Sequence, residues 1–285
     1  MIAYIALGGA MTAAAGSPKP RGQLYDIGGG RRLHMLCEGP ATGAGPTVLL
    51  EAGAFGFSAD WGAVQPLLAA EGVRSCAYDR AGLGFSDPGP APRDGLAVAE
   101  DLEKLLAASG EQGPFILVGH SMAGLRLRLF AARNPDKVAG LVLVDAATPE
   151  AMDHAAMRGF VSQFANLTRL AAVGAQAGLF KPLMGTSFGD KIGLSGPASA
   201  EKRWSFANGR HNRWAAEEVA EWPLTAQQAR EAGPLDPRWP VAVITAGAPG
   251  KRSGWKEIQA APAEASRHGY VRHVEGAAHA TLLGP

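Results

Sequence analysis

Short apolar runs alternate with longer amphipathic stretches along most of the chain. The segments TVLLEAG, VRSCAYD, PFILVG, VAGLVLVD and WPVAVITAG each contain a short apolar run, which is typical of strands buried on both faces of a parallel sheet. Stretches between them, such as AVAEDLEKLLAASG and SMAGLRLRLFAARNP, carry apolar residues at helical spacing. SADWGAVQPLLAAEG likewise predicts one helix. The alternation predicts an α/β protein with a mostly parallel sheet covered by helices on both faces.

Two regions depart from this alternation. QLYDIGGGRRLHMLCEG predicts an antiparallel hairpin, because Gly28 to Gly30 allow the positive φ of a tight turn. Residues 148–238, roughly ninety in number, are too many for a plain connection between two strands. They contain the helical run MRGFVSQFANLTRLAAVGAQAGLF and three tryptophans. We predict a helical lid over the carboxyl end of the sheet, called the lid segment below, with a simple helical crossover as the alternative.

The prediction divides the chain into three parts. Residues 21–147 and 239–285 form the core, residues 148–238 form the lid segment, and residues 1–20 form an apolar N-terminal segment. No charged side chain precedes Lys19, so this segment resembles a signal peptide or the remnant of a membrane anchor. We expect an exported or membrane-anchored protein, with a cytoplasmic protein carrying an apolar arm as the alternative.

Composition and charge narrow the classes of partner. Lys and Arg number 27 against 26 Asp and Glu, so the chain has no basic footprint for nucleic acid, and a small neutral partner is favoured. No Cys or His cluster has zinc spacing, and no G-x-G-x-x-G follows the first strand. We therefore expect neither a metal nor a cofactor, and the composition leaves the oligomeric state open.

Two serines compete as candidate nucleophiles. Ser187 lies in a literal G-x-S-x-G, at Gly185 to Gly189, whereas Ser121 lies in GHSMAG, where Ala123 replaces the last glycine. A nucleophile elbow requires a strand before the serine, a helix after it, and small residues two positions before and two positions after the serine. Only Ser121 has that context, since FILVG precedes it and a predicted helix follows. The pattern predicts Ser121 as the nucleophile and Ser187 as a serine of the lid segment.

Several motifs in order resemble the α/β-hydrolase superfamily, and in particular its lidded bacterial serine hydrolase and esterase branch. They are DRAGLGFSD, GHSMAG, LVLVDAATPE and GAAHATLLGP, together with the EAG turn at Glu51 to Gly53. The likeness covers nearly everything from Gln23 onward except the lid segment. It implies an eight-stranded type of sheet and a serine, acid and histidine in that chain order.

The resemblance implies the catalytic residues Ser121, Asp145 and His279. His279 stands where such enzymes carry their general base. The acid is harder to assign. The family usually places it directly after the strand VAVITAG, but the residues that follow here, APGKRSGW, include no carboxylate. Some members place the acid one strand earlier, which is where Asp145 closes LVLVD; Glu257 and Asp236 are the fallback acids. Asp79 and Arg80 are expected to brace the loop DRAGLGFSD.

The resemblance also implies an oxyanion hole and a pocket. The backbone N–H groups of Met122 and Ala54 are the expected donors, although this chain has Ala52-Gly53 where family members often have His-Gly. Expected pocket residues are Phe55, His120, Trp204 and Trp214. In the family's sheet the strands that carry Cys37 and Cys76 are neighbours, which makes a disulfide between them possible, with two free thiols as the alternative.

These expectations combine into one function and several rivals. The expected reaction is cleavage of a neutral, fairly apolar carboxylic ester through an acyl-enzyme at Ser121. An amidase, a thioesterase or a cofactor-free perhydrolase on the same three residues are rivals within enzymes. A non-catalytic ligand-binding protein of the same fold is the rival outside them, because fold does not determine function.

Overall fold

The computed structural model describes residues 3–4, 10, 17–41, 45–248 and 253–285. The prediction of a signal or anchor concerns residues 1–20, most of which lie outside these ranges. No helix within the described ranges is long and apolar enough to cross a bilayer.

Eight strands form one sheet. In chain order they are β1 (Gln23–Asp26), β2 (Arg32–Glu38), β3 (Thr47–Glu51), β4 (Ser75–Tyr78), β5 (Phe115–His120), β6 (Val138–Val144), β7 (Val241–Ala246) and β8 (Gly269–Val274). Their spatial order is β1-β2-β4-β3-β5-β6-β7-β8. The hairpin β1–β2 and the pair β2–β4 are antiparallel, and all other neighbours are parallel. The predicted fold class is therefore confirmed.

The helices of the core follow the strands as the periodicity predicts, with one exception. They are α1 (Val64–Ala70), α2 (Gly95–Ser109), α3 (Ala123–Arg133) and α8 (Ser253–Glu264). The exception is SADWGAVQPLLAAEG, predicted as one helix, which divides into a 3-10 turn at Ser58–Trp61 and the short α1. The backbone N–H of Ser58 donates to the Asp79 carboxylate (2.9 Å), so a contact with another strand end decides how this segment begins.

The lid segment is inserted between β6 and β7 and is helical. It comprises α4 (Ala155–Gln176), α5 (Gly196–Ala207), α6 (Gly209–Ala220), α7 (Trp222–Glu231) and short 3-10 turns. Ser187 lies in one of these turns, Ser187–Gly189, and its side chain is exposed. The strict G-x-S-x-G match thus has neither a strand before it nor a helix directly after it.

Apolar side chains fill both faces of the sheet. Along β3, Leu49 packs into one apolar cluster with residues of α2 and α3, while Val48 and Leu50 pack into another with Trp61. Successive side chains of a strand point to opposite faces, so a continuous apolar run supplies both clusters at once. The run TVLLE is apolar at successive positions because β3 is covered on both faces of the sheet.

A disulfide joins β2 to β4. Cys37 and Cys76 are directly opposite each other in the antiparallel register, and their sulfur atoms are bonded. The pairing closes a loop that spans 39 residues of sequence. The described chain contains no free cysteine.

Candidate active site

Ser121 lies at a sharp turn between β5 and α3. Its φ is +57°, a conformation that non-glycine residues rarely adopt and that is costly unless neighbours enforce it. The turn is enforced from β6, since Ser121 N–H donates to Val144 O (3.0 Å) and Ser121 O accepts from Ala147 N–H (2.8 Å). The strand, strained serine and helix predicted for a nucleophile elbow are all present here.

The residues around the turn must be small because strand and helix are crowded together. A Cβ atom on Gly119 would lie 2.7 Å from a methyl group of Leu127, and one on Gly124 would lie 2.6 Å from Ala147 O. Ala123, which replaces the last glycine of the motif, is fully buried and fits. The departure from G-x-S-x-G therefore leaves the elbow geometry intact.

Asp145 and His279 form a hydrogen bond at the carboxyl edge of the sheet. The distance from Asp145 Oδ2 to His279 Nδ1 is 2.6 Å, across 134 residues of sequence. Burial raises the pKa of Asp145, but the hydrogen bond and charge of His279 outweigh it, so the pKa lies below its ordinary value. Asp145 is thus a carboxylate at neutral pH, and it can hold the imidazole with Nδ1 protonated and Nε2 free.

Gln259 and His120 contact this pair, and Gln259 was not among the residues predicted from the sequence. Gln259, on α8, donates from Nε2 to Asp145 Oδ1 (3.1 Å). His120 packs its ring against His279 (4.4 Å between centroids) and bonds His279 O through Nε2 (3.0 Å), and its expected place in the pocket stays a prediction. Burial, and then the charge of His279, lower the pKa of His120 to about 4. His120 is therefore neutral and donates from Nε2.

Neither fallback acid bonds His279 in the described part of the chain. Glu257 is exposed on α8, and Asp236 is paired with Arg238 (2.6 Å).

Ser121 and His279 share no hydrogen bond among those of the described residues, and the His279 side chain is 52% exposed. Long or absent hydrogen bonds between nucleophile and base are common before substrate binds.

The loop after β3, residues 52–57, lies directly against the elbow. A Cβ atom on Gly53 would be 2.7 Å from Ser121 Cβ, so only glycine permits this approach. Phe55 holds a positive φ of 58° within the same loop. In the described chain, no backbone hydrogen bond engages the N–H of Ala54 or of Met122. Neither N–H is thus occupied by a backbone acceptor, and their role as oxyanion donors stays a prediction.

Buried arginines bind the carbonyl groups of the 52–57 loop. Arg80 donates to Ala52 O (2.8 Å), Gly53 O (2.9 Å) and Gly56 O (3.2 Å). Arg126 also donates to Ala52 O (2.9 Å) and forms an ion pair with Glu51. Arg80 was expected to brace its own loop, and this expectation is corrected: the side chain reaches the 52–57 loop instead. Asp79 does brace the 79–87 loop, through Phe85 N–H (2.8 Å).

The lid segment contributes three polar side chains to the same region. Glu218, on α6, accepts from Arg80 Nε (2.9 Å) in a fully buried ion pair. His211, also on α6, accepts from Gly84 N–H through Nδ1 (3.0 Å) and bonds Phe55 O through Nε2 (3.2 Å). Lys202, on α5, donates to Phe55 O (3.3 Å). Burial, followed by the charge of Lys202, lowers the pKa of His211 to about 3.

Aromatic residues of the lid segment fall into two groups. Phe164, on α4, makes an edge contact with Phe55 (6.4 Å) and brings an apolar ring next to the 52–57 loop. Trp204 stacks on Phe85 (5.2 Å), and Trp214 packs against Gly82. These two indoles therefore brace the 79–87 loop, and a role for them at the mouth of a pocket stays a prediction.

Other concave or metal-like features of the described chain lie elsewhere. Depressions of about 420 and 360 Å³ are lined around Arg128, Pro234 and Asp236, with no residue of the Ser121 site. Glu111 lies within 4.8 Å of Cys37 and Cys76, a grouping that could bind a metal only through thiolates. The disulfide occupies both sulfur atoms. Neither feature extends the Ser121 site.

The two buried neutral histidines make stability dependent on pH. His120 and His211 have folded pKa values of about 4 and about 3, below the ordinary value of 6.5. Below pH 6.5 these two histidines therefore bind more protons in the unfolded chain than in the folded one. The free energy of unfolding consequently decreases as the pH is lowered. Between pH 7 and pH 5 each histidine should lower the free energy of unfolding by about 2 kcal/mol, measured by urea denaturation.

The variant His211→Gln isolates one of these contributions. Between pH 7 and pH 5 the free energy of unfolding of this variant should decrease by about 2 kcal/mol less than that of the parent, whatever its absolute stability. The exposed His268→Gln is the control and should keep the parent's slope. Equal slopes for His211→Gln and the parent would contradict a neutral His211.

Comparison with known proteins assigns the family. The family model described as alpha/beta hydrolase fold matches residues 46–283, which is most of the chain. The chain therefore belongs to the α/β-hydrolase family, as the motif resemblance implied.

Curated relatives are longer than this chain. A probable transporter, efuK, of Hormonema carpetanum is 38% identical over 130 residues, which cover 44% of this chain and 18% of that protein. An uncharacterized protein of Schizosaccharomyces pombe is 27% identical over 288 residues, covering 87% of this chain and 50% of that protein. The chain thus spans half the length or less of these two relatives.

Solved structures share the fold at low identity. A putative epoxide hydrolase from Pseudomonas aeruginosa is 20% identical with a TM-score of 0.70, covering 93% of this chain and 91% of that chain. The enol-lactonase from Burkholderia xenovorans is 19% identical with a TM-score of 0.61, covering 90% and 93%. Neighbours with this fold thus bear names of different hydrolytic reactions, and at this identity the likeness shows the fold alone.

Proposed function

We propose that this protein is a serine hydrolase that cleaves a neutral, fairly apolar carboxylic ester through an acyl-enzyme intermediate. The observation that carries the proposal is Ser121 at a strained elbow, at the same sheet edge as the Asp145–His279 pair. A hydroxyl in this position suits attack on a carbonyl carbon. The coarser assignment, a hydrolase of the α/β-hydrolase family, is supported by the matching family model.

The proposed mechanism uses only side chains and backbone of this chain. Ser121 Oγ attacks the ester carbonyl while His279 Nε2 takes its proton, and Asp145 stabilises the resulting imidazolium. The N–H groups of Ala54 and Met122 stabilise the oxyanion. His279 returns the proton to the leaving alkoxide, and a water molecule then hydrolyses the acyl-enzyme by the same route.

The proposed substrate preference rests on the apolar rings next to the elbow. Phe55 and Phe164 contact each other, and Phe160 stacks on Phe164 (5.7 Å). These rings favour an apolar acyl or aromatic group, and burial of the Ser121 surroundings disfavours a charged one. Amides, thioesters and perhydrolysis use the same three residues and are alternatives within the proposal.

One observation favours a non-catalytic ligand-binding protein as a second candidate. The His279 side chain is half exposed and makes no hydrogen bond to Ser121 within the described chain. A protein that only binds its ligand has no need for that contact. Chemical reactivity of Ser121 discriminates between the two candidates.

The discriminating experiment is labelling with a fluorophosphonate probe. An activated serine attacks phosphorus and stays covalently modified, so we expect stoichiometric labelling that peptide mapping assigns to Ser121. Heat-denatured protein is the control for nonspecific labelling. Labelling at Ser187, or none on folded protein, would favour the binding-protein candidate or another nucleophile.

We also propose that the protein is exported or membrane-attached through residues 1–20. The support is the absence of charge before Lys19 together with the Cys37–Cys76 disulfide, since disulfides persist mainly in oxidising compartments. Fractionation of cells expressing the full chain tests this. Recovery in the cytosolic fraction with both thiols free would contradict it.

A further inference from the structure

The carbonyl groups of the 52–57 loop are bound by side chains of other elements, among them the cations of Arg80 and Lys202. Four of its carbonyl groups accept hydrogen bonds from buried or half-buried side chains: those of Ala52, Gly53, Phe55 and Gly56. In a trans peptide unit the C=O and N–H point in opposite directions. Arg80 on Gly53 O therefore directs the N–H of the same peptide unit, which belongs to Ala54, away from Arg80.

The cation also changes the strength of that donor. A guanidinium that bonds a carbonyl oxygen polarises the whole peptide unit, and this polarisation strengthens its N–H as a donor. The effect is largest where water is excluded, and the Arg80 side chain is fully buried. The orientation and the donor strength of Ala54 N–H thus both depend on where the Arg80 guanidinium is held.

The guanidinium of Arg80 is held by the lid segment. Both carboxylate oxygens of Glu218 accept from Arg80 Nε, at 3.0 and 2.9 Å. Glu218 belongs to α6, which lies more than a hundred residues from the loop in sequence and is inserted between β6 and β7. His211 and Lys202 of the same segment bond Phe55 O. Every one of these contacts is lost if the lid segment moves away.

We propose that Glu218 is a positioning residue: through Arg80 it holds the Gly53–Ala54 peptide in the orientation that stabilises the oxyanion, so that packing of the lid segment assembles the oxyanion hole. This role rests on the proposed function, in which Ala54 N–H is an oxyanion donor. It assigns to the lid segment an action on the transition state in addition to any effect on substrate entry.

The test compares Glu218→Gln with Glu217→Gln. Glu217 is the adjacent residue of α6 and is exposed, so both variants remove one charge from the same helix. With p-nitrophenyl butyrate as substrate, Glu218→Gln should lower kcat by about 10- to 100-fold and leave KM within about threefold, because a displaced oxyanion donor affects the transition state. Glu217→Gln should match the parent in both constants.

A second readout does not depend on activity. Amide hydrogen exchange, followed by mass spectrometry on peptides that cover residues 50–60, reports how firmly the 52–57 loop is held. Exchange should be faster in Glu218→Gln than in Glu217→Gln and the parent. If the parent cleaves no ester, the proposed function fails, and exchange alone then decides whether Glu218 holds the loop.

The inference is overturned if Glu218→Gln folds, by circular dichroism, and keeps both the kcat and the exchange rates of Glu217→Gln. Should Glu218→Gln not fold, Glu218→Asp provides the test, because it keeps the charge but shortens the side chain by one methylene and so withdraws the carboxylate from Arg80 Nε. Its control is Glu217→Asp at the exposed neighbouring position. Equal kcat and equal exchange in those two variants overturn the inference in the same way.

Discussion

Ser121→Ala is expected to lower kcat for a p-nitrophenyl ester by about 10⁵- to 10⁶-fold, as loss of a nucleophile does when three residues act together. The substitution removes one oxygen atom from the elbow and leaves its turn, which Val144 and Ala147 hold through backbone bonds. His279→Ala should cost about as much, because an unactivated hydroxyl is a poor nucleophile. The two losses should not add. Steady-state kinetics of the single and double variants provide the measurement.

Ser187→Ala is the matched control for Ser121→Ala. Ser187 satisfies the strict G-x-S-x-G but is exposed in a 3-10 turn of the lid segment. Removing its hydroxyl should leave turnover within a few-fold of the parent. An active, folded Ser121→Ala protein beside an inactive Ser187→Ala protein would refute the assignment of the nucleophile.

Asp145→Asn is expected to lower kcat by about 10⁴-fold. The amide can donate to His279 Nδ1, which favours the wrong imidazole tautomer, and it cannot stabilise the imidazolium. Ser121 and the proposed oxyanion donors stay in place, so labelling by a fluorophosphonate should slow but still modify Ser121. The measurements are kcat and the rate of labelling.

The other carboxylates provide controls for Asp145→Asn. Asp236→Asn and Glu257→Gln change residues that make no hydrogen bond or ion pair with His279 in the described chain, and both should keep turnover close to that of the parent. If one of them were inactive while Asp145→Asn retained activity, the acid would be that residue. The nucleophile would be unaffected by such a result.

The sequence predicted most of the strands, helices and turns because each of them depends mainly on residues close together in the chain. Short apolar runs predict strands buried on both faces, and the five predicted in this way correspond to β3, β4, β5, β6 and β7. The glycines at 28–30 predict the β1–β2 turn, and all three have positive φ. The one misjudged helix, at 58–70, begins as a 3-10 turn where Ser58 bonds Asp79, a residue at the end of β4, and becomes α-helical only from Val64.

The candidate site was predicted unevenly, for a physical reason. The elbow at Ser121 is a feature of consecutive residues, so small neighbours between a strand and a helix are visible in sequence. Asp145 and His279 were indicated by motif order, and the structure brings their side chains together. Gln259 and Glu218 carry no local signal, since a polar residue on an amphipathic helix is usually solvent-exposed.

By itself the sequence determined the alternation of strands and helices, the serine with an elbow context and the length of the lid segment. Only the tertiary structure decided which side chains meet across long stretches of chain. Asp145 meets His279, Arg80 turns to the 52–57 loop rather than its own, and Cys37 lies opposite Cys76. Periodicity specifies which face of an element is buried, but a partner depends on sheet order, register and helix packing, which arise only when distant segments come together.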